Sequence, residues 1–258
     1  MEIDAYLKRI DYRGPLEPTL QTLQTLHEAH MLTVPFENLS IHASQPVLLD
    51  EEALFEKIVL RQRGGFCYEL NGLFAWLLRQ LGFQVTLLSA GVCGQSGDFG
   101  PEFDHLTLLI HQLDGSDWLA DVGFGDSFRL PLRFVAALEQ KEANGQTYRL
   151  QKTRDTNMQR DYWILQHFGD EGWEAQYRFS LQSHVLSDFT AMCHYQQTSP
   201  ESHFTQKRIC SLATPTGRIS LSDELLIITT PQGRTEQLLT SQEEYAAALA
   251  SYFHIHAI

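Results

Sequence analysis

Cys67 lies in the part of the chain best suited to covalent chemistry. It follows two glycines in the segment Arg-Gly-Gly-Phe-Cys-Tyr-Glu (63–69) and opens the most regular helical pattern in the sequence. Glycines permit a tight turn, and the first turn of a helix exposes unpaired N–H groups at the positive end of its dipole. The unpaired N–H groups and the positive end of the dipole both favour the thiolate, which is the nucleophilic form of cysteine. The same N–H groups are suited to holding an oxyanion.

The other three cysteines lack this context. Cys93 lies in a Gly-rich loop, Cys193 in a predicted helix and Cys210 in a predicted strand. A free cysteine ordinarily behaves as a small hydrophobic residue, so spacing alone supports a catalytic and a buried structural Cys67 about equally. No two cysteines form a C-x-x-C pair, which argues against zinc-ribbon and thioredoxin sites, and no metal site is predicted.

A nucleophilic cysteine needs a base, and the base needs a third group that orients it. Among the eleven histidines, His105 is best placed, because it opens an apolar strand. Asp121 ends the next predicted strand between two apolar residues, where an unpaired acid is unusual. If these strands pair as neighbours, His105 and Asp121 approach each other. Asp126, in the glycine-rich segment that follows, is more typical of a turn and is the alternative third group.

Hydrophobic periodicity predicts the elements that position these residues. The clearest helix covers 68–81, with apolar residues at offsets of 0, 3, 4, 7, 8 and 11 and Gly82 as its stop. Other helices are predicted over 19–30 and after an N-cap at Asp50. Glu69 and Asn71 are assigned to hydrogen bonding at the helix start, and Arg63 to anchoring the preceding loop by an ion pair.

Short β-type segments follow from residue 84. They are predicted at 84–90, 105–113, 118–122, 162–168 and 173–180, and they favour an antiparallel sheet or barrel. The last third is mixed, with a helix over 187–197, strands over 207–213, 218–221 and 225–230, and a capping box at Ser241 before a final helix. Residues 135–160 give no clear pattern. The chain therefore reads as helical (1–83), then β (84–185), then mixed (186–258), in the α+β class.

Composition and charge limit the functional classes. The 258 residues are 43% hydrophobic and 20% charged, which is typical of a globular chain. The formal net charge of −13 disfavours nucleic acid and anionic membranes as partners, although a buried basic pocket for a small phosphorylated ligand is compatible with it. The N-terminus does not resemble a secretory signal and no apolar stretch is long enough to span a bilayer. We expect a cytoplasmic protein.

Several strings resemble the arylamine N-acetyltransferases, bacterial members in particular. The most specific is the 63–71 segment around Cys67. It is accompanied by Val-Pro-Phe-Glu-Asn-Leu-Ser (34–40), Asp-His-Leu (104–106), Asp-Val-Gly-Phe-Gly (121–125), Thr-Ser-Pro-Glu-Ser-His-Phe (198–204) and Gly-Arg-Ile-Ser-Leu (217–221). The resemblance spans most of the chain, and chance is a poor explanation for these strings occurring in this order.

The resemblance implies a fold and a set of site residues. The fold is a helical N-terminal domain (1–83), a β-barrel-like domain (84–185) and an α/β lid (186–258), with a cysteine-protease-like core. Cys67, His105 and Asp121 match the catalytic triad. The residues that match the family's substrate site are Phe36, Val92 and Phe124 in the aromatic pocket, and Phe204 and Gly125 along the cleft near the thioester.

The resemblance also implies the reaction. Acetyl-CoA is the co-substrate, no bound cofactor is needed, and the acceptor is an aromatic amine, an N-hydroxyarylamine or a hydrazine. We expect a ping-pong mechanism through an acetyl-cysteine thioester in a monomer or small homo-oligomer. Three alternatives stay open: a cysteine hydrolase or transglutaminase-like enzyme with the same triad, an amide synthase that closes a macrolactam on a carrier-bound chain, and a non-catalytic binding relative.

Overall fold

A computed structural model describes residues 1–155 and 159–256 of the chain. The α-helices in this part of the chain are α1 (Ile3–Arg9), α2 (Leu20–Thr33), α3 (Leu39–His42), α4 (Glu51–Phe55), α5 (Cys67–Gln80), α6 (Thr190–Thr198), α7 (His203–Gln206) and α8 (Gln242–Phe253). A π-helical turn (Glu56–Leu60) continues α4, and a 3-10 turn (Leu186–Phe189) precedes α6. The strands are β1 (Phe36–Glu37), β2 (Val85–Val92), β3 (His105–Leu113), β4 (Ser116–Ala120), β5 (Leu132–Arg133), β6 (Gln140–Lys141), β7 (Thr147–Asp155), β8 (Arg160–Gly169), β9 (Gly172–His184), β10 (Ile209–Thr214), β11 (Gly217–Ser222), β12 (Leu225–Thr230) and β13 (Gly233–Leu238).

The helix starts follow from their capping residues. Thr19 accepts a hydrogen bond from the backbone of Thr22 at the start of α2, and Asp50 accepts two from the first turn of α4. At α5, the Glu69 carboxylate accepts from the backbone N–H of Phe66 at 3.1 Å, so the predicted role of Glu69 is confirmed. Ser241 caps α8 as predicted, and the Glu244 carboxylate accepts from the backbone N–H of Thr240 at 2.6 Å.

The middle of the chain forms an eight-stranded antiparallel sheet. Its order is β5-β4-β3-β2-β9-β8-β7-β6. A bridge between Ala136 and Leu150 connects the segment after β5 with β7, so the sheet curls almost into a barrel. The expected pairing of β3 with β4 is confirmed, with Leu108 opposite Ala120. This register leaves His105 at the start of one strand and Asp121 just past the end of its neighbour.

A second sheet has the order β1-β10-β11-β12-β13. It begins with a strand from the N-terminal part of the chain, since Phe36 pairs with Ser211. The sequence indicated neither this pairing nor β13, whose residues are all exposed and mostly polar. The unassigned stretch 135–160 contains β6, β7 and the start of β8, while 156–158 lie outside the described residues. The mixed helix and sheet confirms the α+β prediction.

Candidate active site

Cys67 is the first residue of α5 and is 4% exposed. The preceding loop runs close against the segment before β1, and the backbone N–H of Glu37 donates to Gly65 at 2.8 Å. A Cβ atom on Gly64 would lie 2.0 Å from the carbonyl oxygen of Pro35, so only glycine fits there. The two glycines therefore allow the loop to pack tightly and deliver Cys67 to the interior.

A buried ion-pair cluster anchors the loop that precedes α5. Arg63 donates to Glu37 from Nε and Nη2 at 3.1 and 2.9 Å, which confirms its predicted anchoring role. Lys57 pairs with Glu69 at 2.7 Å and lies 3.9 Å from Glu37. Burial raises the pKa of Glu37, but Lys57, Arg63 and the backbone N–H of Leu39 outweigh it and hold the pKa below its ordinary value. Glu37 is therefore ionised and depends on its cations.

We expect Arg63→Ala to destabilise the fold by about 3–5 kcal/mol, because it leaves a buried carboxylate without its main partner. The matched control is Arg61→Ala, since Arg61 forms an ion pair with Glu56 in which the two side chains are 68% and 48% exposed. Removing that surface pair costs at most about 1 kcal/mol. Urea unfolding of the two variants gives both values. If the two variants lost the same free energy of unfolding, the cluster would not anchor the loop.

His105 and Asp121 meet in the interior as a hydrogen-bonded pair. The distance from His105 Nε2 to Asp121 Oδ2 is 2.7 Å, and both side chains are almost fully buried. Because Nε2 donates to the carboxylate, the neutral ring carries its lone pair on Nδ1. The pair therefore leaves one nitrogen free to accept a proton.

The Asp121 carboxylate accepts from four donors. Besides His105, these are Tyr177 Oη on Oδ2 at 2.9 Å, and Asn71 Nδ2 and the backbone N–H of Gly123 on Oδ1 at 2.8 and 3.0 Å. Burial raises the pKa of Asp121, but His105, Asn71 and Gly123 outweigh it and lower the pKa below its ordinary value. Asp121 is thus a fixed anion facing the imidazole.

Asn71 connects α5 to the strand ends. Its Nδ2 donates to the carbonyl of Leu106 at 2.6 Å as well as to Asp121, and its Oδ1 accepts from the backbone N–H of Val122 at 2.9 Å. The expectation that Asn71 serves the helix start is wrong, because its partners lie on β3 and in the segment just past the end of β4. These bonds also explain why β4 ends at Ala120, two residues earlier than predicted.

Cys67 lies against the residues that surround this pair. A Cβ atom on Gly123 would lie 2.8 Å from Cys67 Cα. Burial raises the pKa of the Cys67 thiol well above its ordinary value, while the backbone of Leu106, the residue after His105, acts in the opposite direction. The helix start alone does not secure the thiolate that the sequence predicts, and a proton acceptor is needed beside it.

Tyr177 is a site residue that no sequence pattern indicated. It lies on β9, is fully buried, and its hydroxyl lies 3.2 Å from Thr107 Oγ1 as well as contacting Asp121. Its ring lies 5.0 Å from that of His105. A tyrosine in a strand is ordinary core material, and only the pairing of β9 with β2 brings it to the carboxylate.

The predicted substrate residues divide into two neighbouring groups. Phe124 packs edge-on against His105 and Tyr177, at 5.2 and 5.1 Å between ring centres. The ring of Phe36 lies 6.1 Å from that of Phe204 and faces Gly125, where a Cβ atom would be 3.5 Å from it. Gly125 follows Phe124 directly, so the two groups adjoin.

Val92 lies elsewhere on the sheet. It is the last residue of β2, pairs with Tyr177, and donates its backbone N–H to Asp104 at 3.3 Å. It is therefore one strand away from the tyrosine that contacts the carboxylate.

A cavity of about 680 Å³ opens between the two sheets next to Phe124. Its wall includes Arg129, Arg218 and Arg234. Arg218 forms a 2.8 Å ion pair with Asp126 and also donates to the carbonyl of Gly125. A chain with a net charge of −13 thus carries a cationic cavity beside its candidate active site.

Within residues 1–155 and 159–256, no group of three or more His, Cys, Asp and Glu side chains is placed to hold a metal ion. The same ranges contain no helix with the length and apolar character to cross a membrane.

Comparison with known proteins places these observations in a family. The sequence profile of a family described as N-acetyltransferase matches residues 19–257. Arylamine N-acetyltransferase 1 of Oryctolagus cuniculus is 32% identical, with 99% of this chain and 94% of that protein aligned. The arylamine N-acetyltransferase / N-hydroxyarylamine O-acetyltransferase of Salmonella typhimurium is 36% identical, over 83% of this chain and 74% of its own.

Solved structures agree with the sequence comparison. The structure of Mycobacterium marinum arylamine N-acetyltransferase in complex with CoA superposes with a TM-score of 0.89 at 30% identity, covering 99% of this chain and 93% of that one. The expected fold, including its cysteine-protease-like core, agrees with this match. A profile match across most of the chain, joined to relatives of this identity and coverage, shows that the chain belongs to the arylamine N-acetyltransferase family.

Proposed function

We propose that this site transfers an acetyl group from acetyl-CoA to arylamines through a thioester on Cys67. Acetyl-CoA is a co-substrate consumed in each cycle and not a resident cofactor. The observation that carries the proposal is the buried His105–Asp121 pair, in which the bond from Nε2 to the carboxylate leaves Nδ1 as the proton acceptor. The next residue, Leu106, lowers the pKa of the Cys67 thiol through its backbone. N-hydroxyarylamines and hydrazines are further acceptors in the same chemical class.

In the first half-reaction, the proton of the Cys67 thiol moves to Nδ1 of His105. Because burial disfavours an isolated thiolate, this transfer succeeds only if the cation forms beside the anion, and Asp121 stabilises the resulting imidazolium. The sulfur attacks the acetyl carbonyl, and the oxyanion is held by backbone N–H groups at the start of α5. The C–S bond to CoA then breaks, and the imidazolium returns its proton to the departing CoA sulfur.

In the second half-reaction, the neutral arylamine attacks the acetyl-cysteine carbonyl. His105 removes the proton from nitrogen as the C–N bond forms, and the C–S bond to Cys67 breaks to regenerate the thiol. The rings of Phe36, Phe124 and Phe204 favour a flat aromatic acceptor and exclude water, which limits hydrolysis.

The cationic cavity next to Phe124 is the place we assign to CoA. CoA carries phosphate groups, and arginine side chains bind phosphates strongly. Arg234 lines this cavity with its side chain 57% exposed and pairs with Glu236 at 2.6 Å. Arg218 pairs with Asp126, and Arg129 donates to the carbonyl of Pro215. The net charge of the chain is compatible with a basic pocket for a small phosphorylated ligand, and CoA is such a ligand.

Phe124 is expected to serve the acceptor more than the donor. Phe124→Ala should raise the KM for flat aromatic amines or lower turnover with them by about tenfold, through a lost ring contact of about 1 kcal/mol and a misplaced nucleophile. Acetylation of Cys67 should suffer less, because only a small acetyl group enters that space. The burst of CoA in a single turnover and steady-state transfer are measured separately. If the CoA burst and steady-state transfer fell by the same factor, Phe124 would have a structural role and would not bind the acceptor.

The experiment that tests the function is an acetyl-CoA-dependent assay over a panel of arylamines and hydrazines that follows free CoA. Release of CoA that depends on the amine supports the transferase. Release without an amine supports a cysteine hydrolase, and activity only with carrier-bound chains supports the amide synthase. The chain division at 83 and 185, the cytoplasmic location, and the monomer or small homo-oligomer all stay predictions.

A further inference from the structure

We propose that His27 is a positioning residue, which fixes the carboxylate of Asp121 by holding the backbone at both ends of the segment 121–129. This inference deepens the proposed function and rests on the role given there to Asp121. His27 lies on α2, outside the strands that carry the site, and is fully buried.

Both ring nitrogens of His27 bind the backbone of this segment. Nε2 accepts from the backbone N–H of Asp121 at 3.1 Å, and Nδ1 lies 2.7 Å from the carbonyl oxygen of Arg129. An amide N–H can only donate and a carbonyl can only accept. The neutral ring must therefore carry its proton on Nδ1, and both of its nitrogens are used.

The segment needs this support because it has left the sheet. β4 ends at Ala120, so the N–H of Asp121 has no strand partner and would be buried without a bond. Phe124 and the cavity-lining residues Asp126 and Ser127 lie between the two anchored ends. One imidazole thus sets both the direction of the carboxylate and the path of the loop that borders the cavity.

Packing fixes the ring of His27 itself. It stacks on Phe128 at 5.7 Å with an interplanar angle of 14°, and it meets Phe74 of α5 edge-on at 5.9 Å. Burial lowers the pKa of His27 to about 4, against smaller opposing effects from Arg129 and Asp121. The ring therefore stays neutral at pH 7, which its acceptor role on Nε2 requires.

His30 provides a matched control. It lies on the same helix, is fully buried, and its Nδ1 bonds the hydroxyl of Tyr6 at 2.9 Å. It also packs against Phe74, but its hydrogen bond leads to α1 and not to the segment 121–129. A purely structural role for a buried histidine should therefore affect both residues alike.

The test compares three variants of the full chain. His27→Asn keeps an amide at the position of Nδ1, which can bond Arg129 but is too short to reach Asp121. His27→Gln places its amide further out, where an oxygen can accept from Asp121. His30→Asn makes the same change at the control position.

Two readouts separate positioning from stability. One is the single-turnover rate of Cys67 acetylation by acetyl-CoA. The other is the pH profile of Cys67 alkylation by iodoacetamide, which reports the coupling of the thiol to His105 and needs no acetyl-CoA. Melting temperatures are recorded alongside. A misdirected carboxylate should lower the acetylation rate between about ten- and a hundredfold and shift the alkylation profile.

We expect His27→Asn to lower the acetylation rate and to shift the alkylation profile, and His27→Gln to recover most of the rate and the wild-type profile. His30→Asn should lower the melting temperature by a similar amount and leave both the rate and the profile unchanged. The proposal would be overturned if His27→Asn were acetylated at the wild-type rate with an unshifted alkylation profile. It would also be overturned if His27→Asn and His30→Asn lost acetylation rate equally. If the wild-type chain were not acetylated, the proposed function would fail, whereas the alkylation profiles would still decide the role of His27.

Discussion

Acetyl transfer is expected to fall by about six orders of magnitude in Cys67→Ala, to the background rate, because the covalent route is lost. The variant should remain folded, since the change removes one small buried sulfur. Mass spectrometry after addition of acetyl-CoA should find one acetyl group in the wild-type chain, on the peptide that contains residue 67.

The other cysteines are the controls for this result. Cys93 is partly exposed in a loop, Cys193 bonds Gln197 at 3.3 Å within α6, and Cys210 is buried on β10. Burial raises the pKa of Cys193 to about 12, so it is a poor nucleophile at pH 7. Cys93→Ala, Cys193→Ala and Cys210→Ala should each keep substantial activity. An acetyl group on any of these three residues would overturn the assignment of Cys67.

A fall of about 10⁴-fold in turnover is expected for Asp121→Asn, the size associated with the wrong imidazole tautomer in a Ser–His–Asp triad. All four partners of Asp121 donate hydrogen bonds, and the new amide group must face some of them. If it faces His105, the imidazole must accept on Nε2 and carry its proton on Nδ1. It then cannot take the proton of Cys67. Steady-state transfer to an arylamine measures the loss.

A second His–Asp pair on the same two strands provides the control. His111 on β3 and Asp117 on β4 lie 3.3 Å apart, but their side chains are 29% and 37% exposed. Asp117→Asn makes the same chemical change near the surface and should leave turnover close to that of the unmodified chain. Comparable losses in the two variants would show that Asp121 acts on stability alone, and near-normal turnover in Asp121→Asn would move the third role to Asp126 or another acid.

The candidates for chemistry can be identified from the amino-acid sequence, because their signals are local. Two glycines before an amphipathic helix single out Cys67, and a carboxylate between apolar residues at a strand end singles out Asp121. Helix caps at Thr19 and Asp50 are equally local, since each cap bonds N–H groups two or three residues ahead. Such patterns are visible in a short window of residues.

The contacts that support these residues depend on how distant parts of the chain pack together. Tyr177 and His27 reach Asp121 across separations of 56 and 94 residues, and Asn71 does so across 50. No local pattern records such a contact, because the residue's own element would form equally well without it. The strand β13 was missed for a related reason: an exposed polar edge strand has no hydrophobic alternation, and only its pairing with β12 makes it a strand. Local sequence patterns thus identify the reactive residues, while burial and long-range contacts determine how those residues are positioned.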